Sequence, residues 1–390
     1  MKKPVCLIAA SLLLLAGCGS VGPNYAGPPQ AAINASRRGT FLRAEASSAD
    51  AGLPQSAWWR ALGDAKLDVL VETALAANTD AVAAVARLAA ARAALGQART
   101  DQLPTGSIKG SYARTKPSFA QFGVLLPGVQ PRDLDLYQAD FDASWEIDLF
   151  GGRRRAVESA VNRAQAASAD VDDVRLSVAA DTAQAYLDLR DQQAGLAVLE
   201  QSSKIDDQLV ALTRERQSEG AASTLDLERI DAQREATLGE MPTVEANIVA
   251  EMDRLSILTG QEPGALDATL SAPSPIPMPP AKVSVGDPAG LIRRRPDIRA
   301  AERRLAANNA AIGVATADLF PKVTLNGDIG LAANDIGKFA TSGSFYYSIG
   351  PSISWSVFNL PRVHAEIHAA QARRDESLAQ IGRASCRERV

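Results

Sequence analysis

The stretch "LYQADFDASWEIDL" occupies Leu136–Leu149, and its period decides the fold. Tyr137, Ala139, Phe141, Ala143, Trp145, Ile147 and Leu149 fall on one side of an extended chain; Gln138, Asp140, Asp142, Ser144, Glu146 and Asp148 fall on the other. A period of two over so many residues requires a strand. The pattern returns in 345–357, where Phe345, Tyr347, Ile349, Ile353, Trp355 and Val357 alternate with Tyr346, Ser348, Gly350, Ser352, Ser354 and Ser356. It returns again in "KVTLNGDIGL", where Val323, Leu325, Ile329 and Leu331 alternate with Lys322, Thr324, Asn326 and Asp328. A weaker member, 105–114, has only Ile108 and Tyr112 as large apolar residues. Strands of about ten residues cross a bilayer at a tilt. The polar sides are too hydrophilic for a sandwich interior, and the aromatics sit on the apolar sides as in a lipid-facing band. The reading is a transmembrane β-barrel.

Working outward, each pair of strands follows an Ala-rich helical stretch that stops at a proline, Pro104 in the first case and Pro321 in the second. Upstream of Pro104, Leu67, Leu70, Val71, Leu75, Val82, Val85, Leu88 and Leu95 form a coiled-coil-like stripe that predicts one helix over about 64–102. From Arg153 to about Glu219 there is no proline, a helix of about 100 Å if straight. The turn signal "SEGAAST" (218–224) then predicts a return helix over about 225–258, kinked at Pro242. The Pro-rich "APSPIPMPP" (272–280) is a connector. A further helix, from Asp287-Pro288 or Pro296 to Leu319, begins the cycle again. The domain reading is a first repeat over 58–270, a connector over 271–286 and a second repeat over 287–380. The tail 381–390 is atypical.

Four strands per chain cannot close a barrel, and unpaired strand edges are not tolerated in lipid. Closure needs copies, and three chains would give about twelve strands around a lumen. The fold class expected is α+β: long antiparallel helical hairpins forming a periplasmic α-barrel, continuous with a transmembrane β-barrel closed by trimerisation. Pro104 and Pro321 mark the junctions where helical wall becomes β wall.

The N-terminus carries Lys2 and Lys3, a short apolar run from Val5 to Ala16, and "LAGC" at 15–18. The run is too short to span a bilayer and reads as a signal peptide over 1–17. A small-residue site ending in Cys resembles the bacterial lipobox, which makes Cys18 the lipidated first residue of the mature chain. Gly19 and Ser20, with no Asp after the Cys, resemble sorting to the outer membrane. Residues 18–57 are rich in Gly, Pro and Ala and read as a lipid-anchored tether. Of three cysteines only Cys386 then remains, so no disulfide framework is expected. Aromatic residues are only 5% of the chain and its formal charge is −4. Nothing in that balance provides a basic domain for nucleic acid.

Taken together, "LAGC", "WWRALGDAKLDVLVETALAANTD", "WEIDLFGGRRRAVESA", "EGAASTLDLERIDAQRE" and "RRRPDIRAAERRLAANNAAIGVATADLFPKVTLNGDIG" resemble the outer-membrane efflux lipoproteins, the TolC-like, NodT-type channels of Gram-negative bacteria. The resemblance covers 15 to about 375. It implies a homotrimer that serves as a passive exit duct, driven by an inner-membrane pump docked through a periplasmic adaptor. Two alternatives stand beside it: a lipid-anchored coiled-coil scaffold without a pore, and a duct for type I protein secretion. The scaffold leaves the alternation of 137–149 and 345–357 unexplained.

The same resemblance assigns Gly220, Ala221, Ser223, Thr224, Leu225 and Asp226 to the hairpin tip where the adaptor docks. Asp226 is equally well read as a first-turn acid favoured by the helix dipole. Asp140, Asp142, Glu146 and Asp148 share one strand face, so threefold repetition would give rings of negative charge and a cation preference. A solvated face is the plainer reading, and a wet lumen is such a face. The triplets Arg153 to Arg155 and Arg293 to Arg295 lie near helix starts among acids and do not read as nucleic-acid patches. His364 and His368 stand four apart but lack a third ligand, and read as surface or interhelical histidines. No nucleophile–base constellation is present, so neither enzyme nor cofactor is expected. If the repeat holds, a second long hairpin should follow Gln380. The chain instead runs into "GRASCRERV", and the expectation is a truncated second repeat with a non-native tail.

Overall fold

The computed structural model describes residues 19–27, 49–50, 52, 56–116, 133–284 and 286–386. Cys18, most of the tether and the strand connection 117–132 lie outside them. The chain forms two compact units.

The first unit comprises Met1–Pro29, Ala90–Ala166 and Ala301–Val390. Its centre is one antiparallel sheet of four strands: β1 (Thr105–Thr115), β2 (Leu134–Ile147), β3 (Lys322–Ala333) and β4 (Phe345–Ser354), in sequential order. The register places Phe141 opposite both Ile108 and Ile329, and Ile329 opposite Tyr347. Every strand therefore turns its apolar residues to the same face, because a residue-wide slip in any pairing would mix the two faces. That face is left open: Ile108, Phe141, Tyr347, Ile349 and Ile353 are all exposed.

Two helix-to-strand junctions feed the sheet, and they are built alike. Helix α2 (Thr79–Thr100) and helix α6 (Pro296–Ala317) each end four residues before the proline, at Pro104 and Pro321, and a strand starts directly after it. Proline stops each helix because it restricts the preceding residue to extended backbone. A tryptophan from the neighbouring strand or its end latches each turn. The Trp145 indole N–H donates to the Gln102 carbonyl (2.9 Å), and that of Trp355 to the Leu319 carbonyl (3.1 Å). Carbonyls at a helix C-terminus lack intrahelical donors, so each indole supplies one.

The second unit comprises Gln30–Ala89 and Ala167–Ala300. Helices α1 (Ala65–Ala77), α3 (Gly152–Ser218) and α4 (Thr224–Leu258) contribute Leu67, Leu70, Val71, Tyr186, Leu189 and Leu255 to its core. Arg190 is fully buried there. Its guanidinium donates to Gln193 Oε1 (2.6 Å), the Ala272 carbonyl (3.1 Å) and the Tyr186 hydroxyl (3.2 Å), which in turn donates to Asp64 (2.7 Å). Burial, with the hydrogen bond to Asp64, pushes the Tyr186 hydroxyl up to about 12. Burial alone would raise Asp64. The hydrogen bonds from Tyr186, Leu67 and Lys66, together with the Arg190 charge, hold its carboxyl below the usual range.

The helices depart from the sequence reading at two places, Asn78 and the end of the last helix, and agree with it at two others. The helix expected over 64–102 breaks at Asn78. Its side chain accepts from the amides of Asp80 (2.9 Å) and Ala81 (3.2 Å) and donates to the Leu258 carbonyl (3.1 Å), so it caps a new helix. Of the two starts offered for the helix that ends near Leu319, α6 takes Pro296, and a short helix α5 (Pro288–Arg294) precedes it, separated at Arg295 because Pro296 follows. Helix α4 contains Pro242 in its interior, as the sequence reading has it. Helix α7 (Leu360–Cys386) continues beyond Gln380, with Ile381 buried against Ala301 and Leu305.

Candidate functional site

The polar face of the sheet is a network. Ser107 and Lys109 of β1 both engage Asp142, at 2.9 and 2.6 Å. Ser144 donates to Asn326 (3.0 Å), which donates to Ser352 (2.9 Å), and Gln138 donates to the Tyr346 hydroxyl (2.9 Å). Polar side chains that bond across four strands in this way form a hydrophilic wall whose opposite side is apolar.

The four acids proposed for this wall occupy different positions. Asp140 lies in the register between Lys109 and Gly330. Asp142 neighbours Asp328 across the β2–β3 pairing and is paired with Lys109. Glu146, at the strand end, accepts from Arg153 Nη2 (2.8 Å). Asp148 stands past the strand and accepts from the backbone amides of Arg153 (3.2 Å) and Arg154 (2.9 Å), so it caps the first turn of α3. Two members of the arginine triplet thus neutralise wall acids. Asp328 is an additional acid on the same face.

The third member, Arg155, has a separate role. It is 4% exposed and grips the chain segment 19–27. Its guanidinium donates to the carbonyls of Val21 (3.0 Å) and Gly22 (3.2 Å) and to Asn24 Oδ1 (2.6 Å), and pairs with Glu158 (2.8 Å). The Val21 amide donates to the Phe150 carbonyl (3.0 Å), and Asn309 of α6 donates to the Pro23 carbonyl (3.0 Å). The segment crosses α6 where Gly22 meets Gly313. A Cβ on Gly22 would lie 2.4 Å from the Gly313 Cα, and one on Gly313 would lie 2.7 Å from the Arg155 side chain. Only glycine permits that approach, and Gly22 has φ +85° besides. The segment just downstream of Cys18 is therefore seated beside the sheet-to-helix junction. Nothing in the chain's periodicity marks Arg155 or Gly313 for this role.

The hairpin tip is exposed and tightly capped. Gly220 takes φ +74° while the amides of Gly220 and Ala221 close the end of α3 on the carbonyls of Gln217 (3.0 Å) and Arg216 (2.8 Å). Ser223 starts α4 with a capping box: the Asp226 amide donates to Ser223 Oγ (3.1 Å), and the Ser223 amide donates to Asp226 Oδ2 (3.0 Å). The Ser223 hydroxyl, which donates to Asp226 Oδ2 (2.6 Å), and then the Ser223 amide hold the Asp226 carboxyl below the usual carboxylate range. Gln217 donates to Thr224 Oγ1 (3.2 Å), and Leu225 projects at 59% exposure. His364 and His368 lie on the exposed side of α7. Arg295 pairs with Asp297 (2.8 Å).

Comparison with known proteins agrees with this architecture. The family model described as "Outer membrane efflux protein" matches residues 70–261 and 289–386. Nodulation protein T of Rhizobium leguminosarum bv. trifolii is 33% identical over 93% of this chain and 74% of its own length. The pyoverdine export outer membrane protein OpmQ of Pseudomonas putida is 29% identical over 97% of this chain and 78% of its own. Among solved structures, the outer-membrane channel OprN superposes with a TM-score of 0.85 at 35% identity, covering 94% of this chain and 80% of that one. The chain thus belongs to the outer membrane efflux protein family, and is a Gram-negative outer-membrane protein with a periplasmic extension that provides the exit duct of a tripartite efflux system.

Proposed function

We propose that three copies of this chain close a twelve-strand transmembrane barrel whose lumen is the duct, and that it exports small amphiphilic molecules such as drugs. The observation that carries this reading is the four-stranded sheet, with one wet face, one apolar face and two open edges at β1 and β4. In lipid, such edges must find partners. The bonded polar face lines the lumen. Of its acids, Asp142, Glu146 and Asp148 are engaged by Lys109, Arg153 and Arg154, so Asp140 and Asp328 carry most of the cation preference.

The tip at 220–226 receives the periplasmic adaptor. Its small exposed residues permit close approach, and Leu225 supplies an apolar contact. Cys18 is the lipid anchor, and Arg155 fixes the segment beside it. The inner-membrane pump selects the substrate and supplies the energy.

The test is dye export in a Gram-negative host lacking its own channel of this family but supplied with a matching pump and adaptor. Expression of this chain should lower the accumulation of an amphiphilic cationic dye, and an uncoupler should abolish the difference. Unchanged accumulation, with the protein present in the outer membrane, would contradict the reading.

A further inference from the structure

Internal repetition fixes the strand register between copies. The β1–β2 hairpin pairs Thr105 with Ser144, and the β3–β4 hairpin pairs Lys322 with Ser354. Proline, tryptophan latch and strand start coincide in the two. Each hairpin is thus the other shifted along the chain, β1 onto β3 and β2 onto β4. The junction between hairpins within one chain, β2 to β3, is then the template for the junction between copies, β4 to β1. It pairs Ala143 with Gly327 and Asp142 with Asp328.

Carried across with the hairpin equivalences, we infer that β4 of one copy pairs antiparallel with β1 of the next with Ile353 opposite Gly110 and Ser352 opposite Ser111. This rests on the trimer closure proposed above and specifies its register. The transfer uses backbone positions alone, yet it keeps the two faces apart, setting Pro351 opposite Tyr112 on one and Ser352 opposite Ser111 on the other. A slip of one residue would mix the faces.

The junction offers a second contact between copies, placed by distance from the helix start. Within the chain, Phe150, two residues before α3, stacks on Phe320, the residue before Pro321, at 4.5 Å between ring centroids and 14° between planes. Phe358 likewise stands two residues before α7, and Leu103 stands directly before Pro104. In one copy both are exposed, Phe358 at 98% and Leu103 at 59%. Counted from the helix start, and not by the strand transfer, which carries Phe150 onto Leu360, this correspondence brings Phe358 of one copy to the Leu103 junction of the next.

The test is cysteine cross-linking in the full chain carrying C386S, with that parent as blank. Under mild oxidation, S111C/S352C and L103C/F358C should each give covalent dimers and trimers on non-reducing gels, whereas S107C/S352C, displaced along the same face, should not. Mass by light scattering is read on every sample. A trimer in which S107C/S352C links and S111C/S352C does not would overturn the register and leave the trimer standing. A protein that is monomeric in detergent and in lipid would overturn both. L103C/F358C lies outside the strands, so it keeps the adjacency of β4 to β1 of the next copy testable if the strand variants do not fold.

Discussion

A single side chain illustrates how the sequence hides its most consequential contacts. Arg155 belongs to a triplet whose other members answer acids close by in the chain, while it reaches back to Val21, Gly22 and Asn24. Replacing it by alanine leaves two backbone carbonyls without their donor and should cost about 3 kcal/mol. R155A should therefore free residues 19–27 to proteolysis, and chemical unfolding should show the loss; unchanged cleavage would contradict the clamp. The acids of the wall were legible as a polar face from their spacing. Which of them would be neutralised was not, because Lys109 meets Asp142 only through strand pairing, and Arg153 meets Glu146 only after the chain has turned into α3.

Elements whose signal is local were the easiest to read. The strand at Leu134–Ile147 shows its alternation residue by residue, and prolines mark both junctions. The break at Asn78 was not visible, because the apolar stripe runs on either side of it and the bond that fixes it comes from Leu258. The tip lies between these cases. Its small residues announce a turn, but the reciprocal bonds of Ser223 and Asp226 depend on the cap geometry. S223A should destabilise the start of α4 by about 1 kcal/mol, seen as faster amide exchange at Asp226 and Leu227. The pH dependence has a definite sign. A carboxyl held lower in the folded state than in the unfolded one stabilises the fold above its unfolded value, and that contribution is lost as pH falls through the lowered one. Protection at the tip should therefore persist to mildly acidic pH, then fall below the ordinary carboxylate range, and D226N should remove the acid step.

For the whole molecule, composition and repetition already pointed to copies, since two strands per repeat leave an amphipathic sheet that cannot be complete alone. The structure adds that, among the described residues, both edges of this sheet are open and its apolar face carries no cover. The central claim is that copies of this sheet enclose a wet passage across the outer membrane. Single-channel recording of the purified protein in a planar bilayer tests it most directly, with a variant lacking 137–149 as control. The account predicts discrete, cation-preferring steps from the intact chain and none from the control. A protein that is trimeric by mass and inserted in the bilayer, yet electrically silent, would contradict it.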